Sequence, residues 1–221
     1  MPVITIRGQM GSGAPDIGKL VAEKLHYDYV DREIVAEVAA QLGYPKRRIE
    51  AKEMPAGTLT GRISEALNRS YPMDTVGGGM GTVIPMYLPA WDAPLDDPNY
   101  LSRLEAVVKE LAASQAIVIR GRGSQFILKD YPDSLHVLVI APLEIRVARV
   151  MSSQKTDEKT AKQKITRFDT SRREFIKRYF KVELEDPIHY DMVINTERFT
   201  FEEAAFIITE TLSRRSPAAG N

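Results

Sequence analysis

A glycine-rich segment near the amino end carries the clearest chemical signal in the sequence. Gly8 and Gly13 have the G-x-x-x-x-G spacing of a phosphate-binding loop, within the run GQMGSG. Backbone amides can curl around phosphate oxygens there because glycine has no Cβ, and a following helix directs its positive end toward the same anion. Ser12 adds a hydroxyl donor. We therefore predict phosphate binding by residues Gly8 to Asp16; the plainer alternative is a turn that only connects a strand to a helix.

The two positions after the loop depart from the usual pattern. The standard loop continues with Lys and then Ser or Thr, whereas this chain has Ala14 and Pro15. The Lys normally spans the outer phosphates of ATP and the hydroxyl normally holds Mg²⁺. Lys19 is a poor substitute, because five helical positions amount to a rotation of roughly 140° and a rise of about 7.5 Å. The sequence thus predicts a backbone cradle without its usual cation and metal ligand.

Arginines at three other places could supply positive charge. Arg120 and Arg122 follow an apolar run that predicts a central strand, and ligands bind at the carboxyl ends of strands in open α/β sheets. Arg146 and Arg149 share one face of a predicted helix. Phosphoryl transfer depends on positioning and on charge neutralisation, so converging arginines favour it. The alternative for each residue is an ordinary solvated cation.

A charged region further along the chain surrounds one aspartate with arginines. Asp169 is flanked by Arg167, Arg172 and Arg173. A lid that closes over the site would bring these charges to the donor phosphates. The alternative is a surface helix in which Asp169 pairs with Arg172 or Arg173 at helical spacing.

Alternating strands and helices must position these residues. We predict strands over residues 3–6, 28–30, 116–119, 135–141 and 192–195. We predict helices after the glycine loop, over 32–42, 59–68 and 100–113, after Pro142, over 157–180 as one or more segments, and over 201–212. This order implies an α/β fold with a mostly parallel sheet covered on both faces. Residues 54–98 are rich in Pro and Gly and predict a long loop, and the tail from Ser213 is expected to be frayed.

Composition narrows the classes of function. Lys plus Arg number 30, as do Asp plus Glu, so no broad positive field favours a nucleic acid polymer or an anionic membrane. There is no cysteine for disulfides or thiolate metal sites, and the three histidines lack metal-ligand spacing. No signal peptide or membrane span is evident, so we expect a cytoplasmic protein.

Six separately spaced motifs together are similar to those of the cytidylate kinase-like family. They are ITIRGQMGSGAPDIGKLVAEKL, YDYVDREIV, IVIRGRGSQFIL, LHVLVIAPLEIRVARV, ITRFDTSRREFIKRYF and YDMVINTERFTFEEAA. The resemblance covers nearly the whole chain apart from the middle insertion. It implies an adenylate-kinase-type P-loop NTPase fold, with a five-stranded parallel sheet and helices on both faces. By analogy the core takes about 1–30, 112–150 and 188–214, the acceptor-binding region and insertion about 31–111, and the lid about 151–187.

The resemblance also implies an activity. A kinase of this family would transfer the γ-phosphoryl group of ATP to a small acceptor such as CMP, with Mg²⁺ bridging the donor phosphates. Members of this branch often resemble each other in having glycine in place of the loop lysine. Ala14 is consistent with that pattern, whereas Pro15 departs from it.

The residues assigned to this chemistry fall into three sets. The catalytic set is Arg122, Arg167, Arg172, Arg173 and Asp169. The ATP-binding set is Gly8, Gly11, Ser12, Gly13, Ala14, Pro15, Arg146 and Arg149. The acceptor-binding set is Asp31, Arg32, Arg120 and Arg122, with Asp31 as an ordinary helix N-cap the alternative. The metal ligand stays open.

Two further hypotheses compete with a kinase. The loss of the loop Lys and Ser/Thr favours a nucleotide-binding module with little or no catalysis. Alternatively, the loop only organises the fold and the insertion mediates a protein contact, in which case a homo-oligomer is one outcome.

Overall fold

A computed structural model describes residues 1–31, 100–114 and 116–215. The helices predicted over 32–42 and 59–68, the long loop over 54–98 and the last six residues lie outside these ranges.

Five parallel strands form one sheet, as predicted. They are β1 (Val3–Gly8), β2 (Asp28–Val30), β3 (Ile117–Arg120), β4 (Ser134–Ile140) and β5 (Met192–Asn195). Their order across the sheet is β2-β3-β1-β4-β5. The β-branched, apolar character of these runs suits strands that are covered on both faces. Because all strands are parallel, their carboxyl ends meet at one edge, and this edge carries the glycine loop.

The described helices cover the sheet. They are α1 (Ala14–Leu25), α2 (Tyr100–Ser114), the short α3 (Ser124–Ile127), α4 (Leu143–Gln154), α5 (Glu158–Phe180) and α6 (Phe201–Arg215). A 3₁₀ turn spans Pro187–His189. None of the described helices combines the length and apolar character of a bilayer span.

One helix decides a prediction that the sequence left open, and another helix corrects a prediction. The charged region forms the single helix α5, which begins after Asp157, whose side chain accepts a hydrogen bond from the amide of Thr160. Helix α6 continues through residues 213–215, which were expected to be frayed. Arg215 holds this end in place by donating to the carbonyl of Ser134 and to Asp191.

The apolar core lies on both faces of the sheet. On one face Val3 and Ile119 pack with Leu104 of α2 and Phe175 of α5. On the other face Ile4 and Ile6 pack with α1 and α6. Side chains alternate along a strand, so Arg7 of β1 lies on the same face as Val3, toward α2 and α5.

Candidate functional site

The glycine loop connects β1 to α1, as predicted. Gly11 and Gly13 have positive φ angles of 82° and 90°, which glycine adopts without strain. A Cβ added to Gly13 would also lie 2.2 Å from the ring of Phe201. The loop's conformation therefore needs glycine both for its backbone and for its packing against α6. Ala14 is the first residue of α1 and Pro15 lies in the first turn, where its missing N–H costs nothing.

The outer side of the loop is fixed by side chains from α4 and from the end of β5. Thr196 Oγ1 donates to the carbonyl of Ser12 at 2.8 Å. Arg149 Nη1 donates to the same threonine hydroxyl at 2.8 Å and to the carbonyls of Gly11 and Ser12 at 3.4 Å. The Arg149 guanidinium also lies over the Phe201 ring, 5.0 Å from its centroid. Arg149, predicted to bind ATP, thus contacts the loop backbone directly in this structure.

A buried ion pair joins the loop to the predicted lid helix. Arg146 Nη1 lies 2.6 Å from Asp169 Oδ2, and the side chains are only 10% and 3% exposed. Asp169 Oδ1 accepts a hydrogen bond from the amide of Met10 at 3.2 Å, and Arg146 Nη1 donates to the Met10 carbonyl at 3.3 Å. Both partners of the pair therefore contact one residue of the loop.

This geometry corrects the helical pairing considered for Asp169. Arg173 is instead 3.3 Å from Glu185, and the Arg172 guanidinium lies 4.8 Å from the centroid of the Phe168 ring. Arg167 is exposed on α5. Of the four charged lid residues assigned to catalysis, Asp169 contacts the loop and Arg172 lines the cavity beside it.

A small cavity lies beside the loop, at the carboxyl ends of β1 and β3. Its volume is about 30 Å³, and four arginines line it: Arg7, Arg120, Arg122 and Arg172. This is the place in an open α/β sheet where ligands are expected. The structure thus brings together Arg120, Arg122 and Arg172, which the sequence assigned to the site from separate motifs.

Arg120 is neutralised by the first residue after β2. Its Nη2 donates to both carboxylate oxygens of Asp31, at 2.5 and 2.6 Å, and its Nε donates at 3.2 Å. Burial lowers the pKa of Arg120, but the hydrogen bonds and charge of Asp31 outweigh it and raise that pKa above its usual value. The predicted N-cap role of Asp31 and the side chain of Arg32 lie outside the described residues.

Arg122 is held in an unusual backbone conformation. Its φ is 58°, between Gly121 at 83° and Gly123 at 73°, and its side chain is buried. A non-glycine residue in the left-handed region costs about 1–2 kcal/mol. Such strained residues often occur at functional sites, where the conformation aims a side chain.

Arg7 was missed by the sequence analysis. It is 8% exposed, its Nη1 donates to the carbonyl of Gly8, and its buried Nη2 has no hydrogen-bond partner within the described part of the chain. Burial lowers its pKa, while Tyr190, Asp169 and Glu185 act in the opposite direction. The signal was available, because Arg7 is a cation inside the apolar run of β1, directly before the loop. Thr196 was also missed, and nothing in its local sequence marked it.

The described residues fit a phosphate group better than a preformed metal site. Among the described residues, the fully buried Ser12 Oγ in the loop has no hydrogen-bond partner, and neither has the buried Nη2 of Arg7. Both are donors that an anion could satisfy. Among residues 1–31, 100–114 and 116–215, no three acidic or histidine side chains form a metal-binding group. Mg²⁺ commonly uses substrate phosphates, waters and one or two carboxylates instead of such a group.

Relatives of this chain match it over very different lengths. A cytidylate kinase from Methanococcus aeolicus is 24% identical over 217 residues, which covers 97% of this chain and 99% of that protein. A uronate isomerase from Corynebacterium glutamicum is 32% identical over 106 residues, but the match covers 48% of this chain and only 20% of that protein.

A solved structure and a family model cover most of the chain. The structure of an uncharacterized protein from Eubacterium ventriosum matches with a TM-score of 0.68 and 19% identity, covering 97% of this chain and 100% of that one. The family model described as "Cytidylate kinase-like family" matches residues 3–198. The chain, which has the parallel sheet and glycine loop of an α/β P-loop kinase fold, therefore belongs to the cytidylate kinase-like family.

Proposed function

We propose that this protein is a nucleotide kinase that transfers the γ-phosphoryl group of ATP to a small acceptor, with CMP or a related nucleoside monophosphate as the leading acceptor. The observation that carries the proposal is the cavity lined by four arginines directly beside the glycine loop. A loop for one phosphate chain and arginines for a second phosphate are the parts that phosphoryl transfer requires. The name of the Methanococcus aeolicus relative supports CMP.

The donor side would be the loop. The first-turn amides of α1 and the buried hydroxyl of Ser12 would bind the phosphates of ATP, while Thr196 and Arg149 hold the loop in shape. When bound, Mg²⁺ would neutralise charge on the β- and γ-phosphates. Asp169 and Arg146 would couple the position of α5 to this loop.

The acceptor side would be formed by the ends of β2 and β3. Arg122 would contact the acceptor phosphate, and Asp31 would orient Arg120 at the edge of the same cavity. In the reaction, an acceptor phosphate oxygen forms a bond to the γ-phosphorus as the bond to the β,γ-bridging oxygen breaks. ADP leaves with that electron pair, so the step needs no further reagent.

A coupled assay for ADP release tests this proposal against a panel of nucleoside monophosphates and small hydroxyl compounds, with ATP and Mg²⁺ present. We expect turnover with CMP or a close relative. We expect the Arg122→Ala variant to lose at least about 100-fold in kcat/KM, since one charge-assisted contact in the transition state contributes about 3 kcal/mol. Arg214→Ala, on the exposed end of α6, is the matched control and should retain full activity. If none of the acceptors in the panel is phosphorylated, the proposal is contradicted.

A second function is favoured by one specific contact. The amide of Met10 in the loop already donates to the carboxylate of Asp169, so a protein anion occupies part of the cradle. Together with Ala14 and Pro15, this favours a nucleotide-binding module with little catalysis. ATP binding by calorimetry without turnover toward any acceptor would support the module.

A further inference from the structure

We propose that Arg7 binds the transferred phosphoryl group and supplies the positive charge that a lysine supplies in the standard phosphate-binding loop. This inference rests on the proposed phosphate chemistry of the site, but it concerns a residue of β1 that lies before the loop, outside the glycine motif.

The position of Arg7 is the first argument. It is the residue directly before Gly8, and its side chain lines the cavity together with Gly8 on the loop side and Arg122 on the acceptor side. A cation at this place lies between the proposed donor and acceptor phosphates. The γ-phosphoryl group has to cross that place during transfer.

The state of the guanidinium is the second argument. Arg7 is more than nine-tenths buried, yet its Nη2 has no hydrogen-bond partner and its Nη1 contacts only a backbone carbonyl among the described residues. Burying a charged donor without a partner is costly, so such a group is usually retained for a ligand. A planar guanidinium can donate to two oxygens of a phosphate at once. The positive charge of the other arginines around the cavity also favours a phosphate as the ligand.

The other cations near the loop are less suited to this role. Lys19 is exposed on α1, and α1 packs on the opposite face of the sheet. Arg146 is bound to Asp169, and Arg149 is bound to Thr196 and to loop carbonyls. Compared with these three cations, Arg7 is therefore better placed to neutralise charge near the β- and γ-phosphates.

The space around Arg7 sets a condition on ligand entry. The cavity of about 30 Å³ holds roughly two or three water molecules, since one water needs about 10–15 Å³ by this measure. A phosphate group needs more room, so the half-buried side chains of Phe168 and Arg172 on α5 have to move when the ligand binds. The ligand class is a polyphosphate chain or a phosphate monoester.

The test compares the full-length protein with Arg7→Met and Arg7→Lys, using Arg214→Met as the exposed control. Tripolyphosphate and ATP are the probes in calorimetry, and thermal unfolding is followed in parallel. We expect Arg7→Met to weaken tripolyphosphate binding at least about tenfold while its Tm stays equal to or above the parent value, because an unpaired buried charge has been removed. A purely structural Arg7 would lower Tm and leave the affinity of the folded protein unchanged, which would overturn the proposal.

Two further readouts separate this proposal from the proposed function. Tripolyphosphate binding that depends on Arg7, without turnover of any acceptor, upholds the role of Arg7 in phosphate binding and overturns the kinase. Turnover that Arg7→Met leaves unchanged upholds the kinase and overturns the role of Arg7. If Arg7→Met does not fold, Arg7→Lys decides: about tenfold weaker binding supports the proposal, since lysine cannot form the two-pronged contact, and parent affinity overturns it.

Discussion

Asp169 of α5 and Arg146 of α4 form a buried ion pair, 2.6 Å between Oδ2 and Nη1, and both side chains also contact the backbone of Met10 in the glycine loop. The pair therefore links the loop, the helix after β4 and the predicted lid helix. Breaking it should change both the stability of the fold and the geometry of the loop.

Replacing Asp169 with Ala should destabilise the protein strongly. The change leaves the Arg146 charge buried without its partner, which typically costs about 3–5 kcal/mol. For a chain of this size the corresponding loss in Tm is about 6–20 °C. Thermal unfolding measures it, and the double variant with Arg146→Ala should be more stable than the sum of the single variants predicts. Additive losses would show that the two side chains do not interact.

Removing the hydroxyl of Thr196 should loosen the loop. Thr196→Val deletes the hydrogen bond to the Ser12 carbonyl and the acceptor for Arg149, at a cost of about 1–3 kcal/mol in unfolding free energy. ATP binding measured by calorimetry should weaken as well, because the loop no longer has a fixed shape. Thr209→Val on the exposed part of α6 is the control. Equal ATP affinity in both variants would mean that Thr196 does not position the loop.

Asp31→Ala should affect the acceptor more than the donor. The bidentate contact holds Arg120 at the edge of the cavity, and losing it should raise KM for the acceptor about tenfold, the equivalent of about 1.4 kcal/mol. KM for ATP should change less than twofold. Steady-state kinetics with each substrate varied in turn provides the measurement. An equal rise in both KM values would argue against a separate acceptor side.

Stability should fall in mildly acidic solution because of His136. Burial lowers the pKa of this histidine, and its ring nitrogens contact Thr5 Oγ1 at 2.8 Å and Ser134 Oγ at 3.2 Å. The unfolded chain then binds more protons than the folded one, so stability is retained above the ordinary value of 6.5 and is lost as the pH falls through the folded pKa.

The groups around His136 do not obscure this effect. Burial acts to raise the pKa of Asp191, but Arg215 and the His136 amide hold that pKa below its usual value, so the carboxylate stays ionised in this window. Urea denaturation between about pH 5 and 7 should show the slope in the parent protein and a smaller slope in His136→Gln. His26→Asn, at the exposed end of α1, is the control. An unchanged slope in His136→Gln would assign the effect to other residues.

The sequence predicts the framework of the site but not all of its contacts. The strands and helices follow from apolar periodicity, and the loop follows from glycine spacing. Arg120 was placed at a strand end, yet its partner Asp31 is 89 residues away, and only the pairing of β2 with β3 brings them together. Asp169 could not be matched to Arg146, because the pairing depends on how α4 and α5 pack, and helical spacing pointed to closer arginines.

Transfer of phosphate from ATP to CMP tests the central claim most directly. ³¹P NMR of the purified protein with ATP, CMP and Mg²⁺ follows both products in one sample. The kinase account predicts equal amounts of ADP and CDP, formed at a rate that Arg122→Ala lowers at least about 100-fold and Arg214→Ala leaves unchanged. If ATP and CMP both bind but no phosphorus signal changes, with CMP or with any other acceptor in the panel, the account is contradicted.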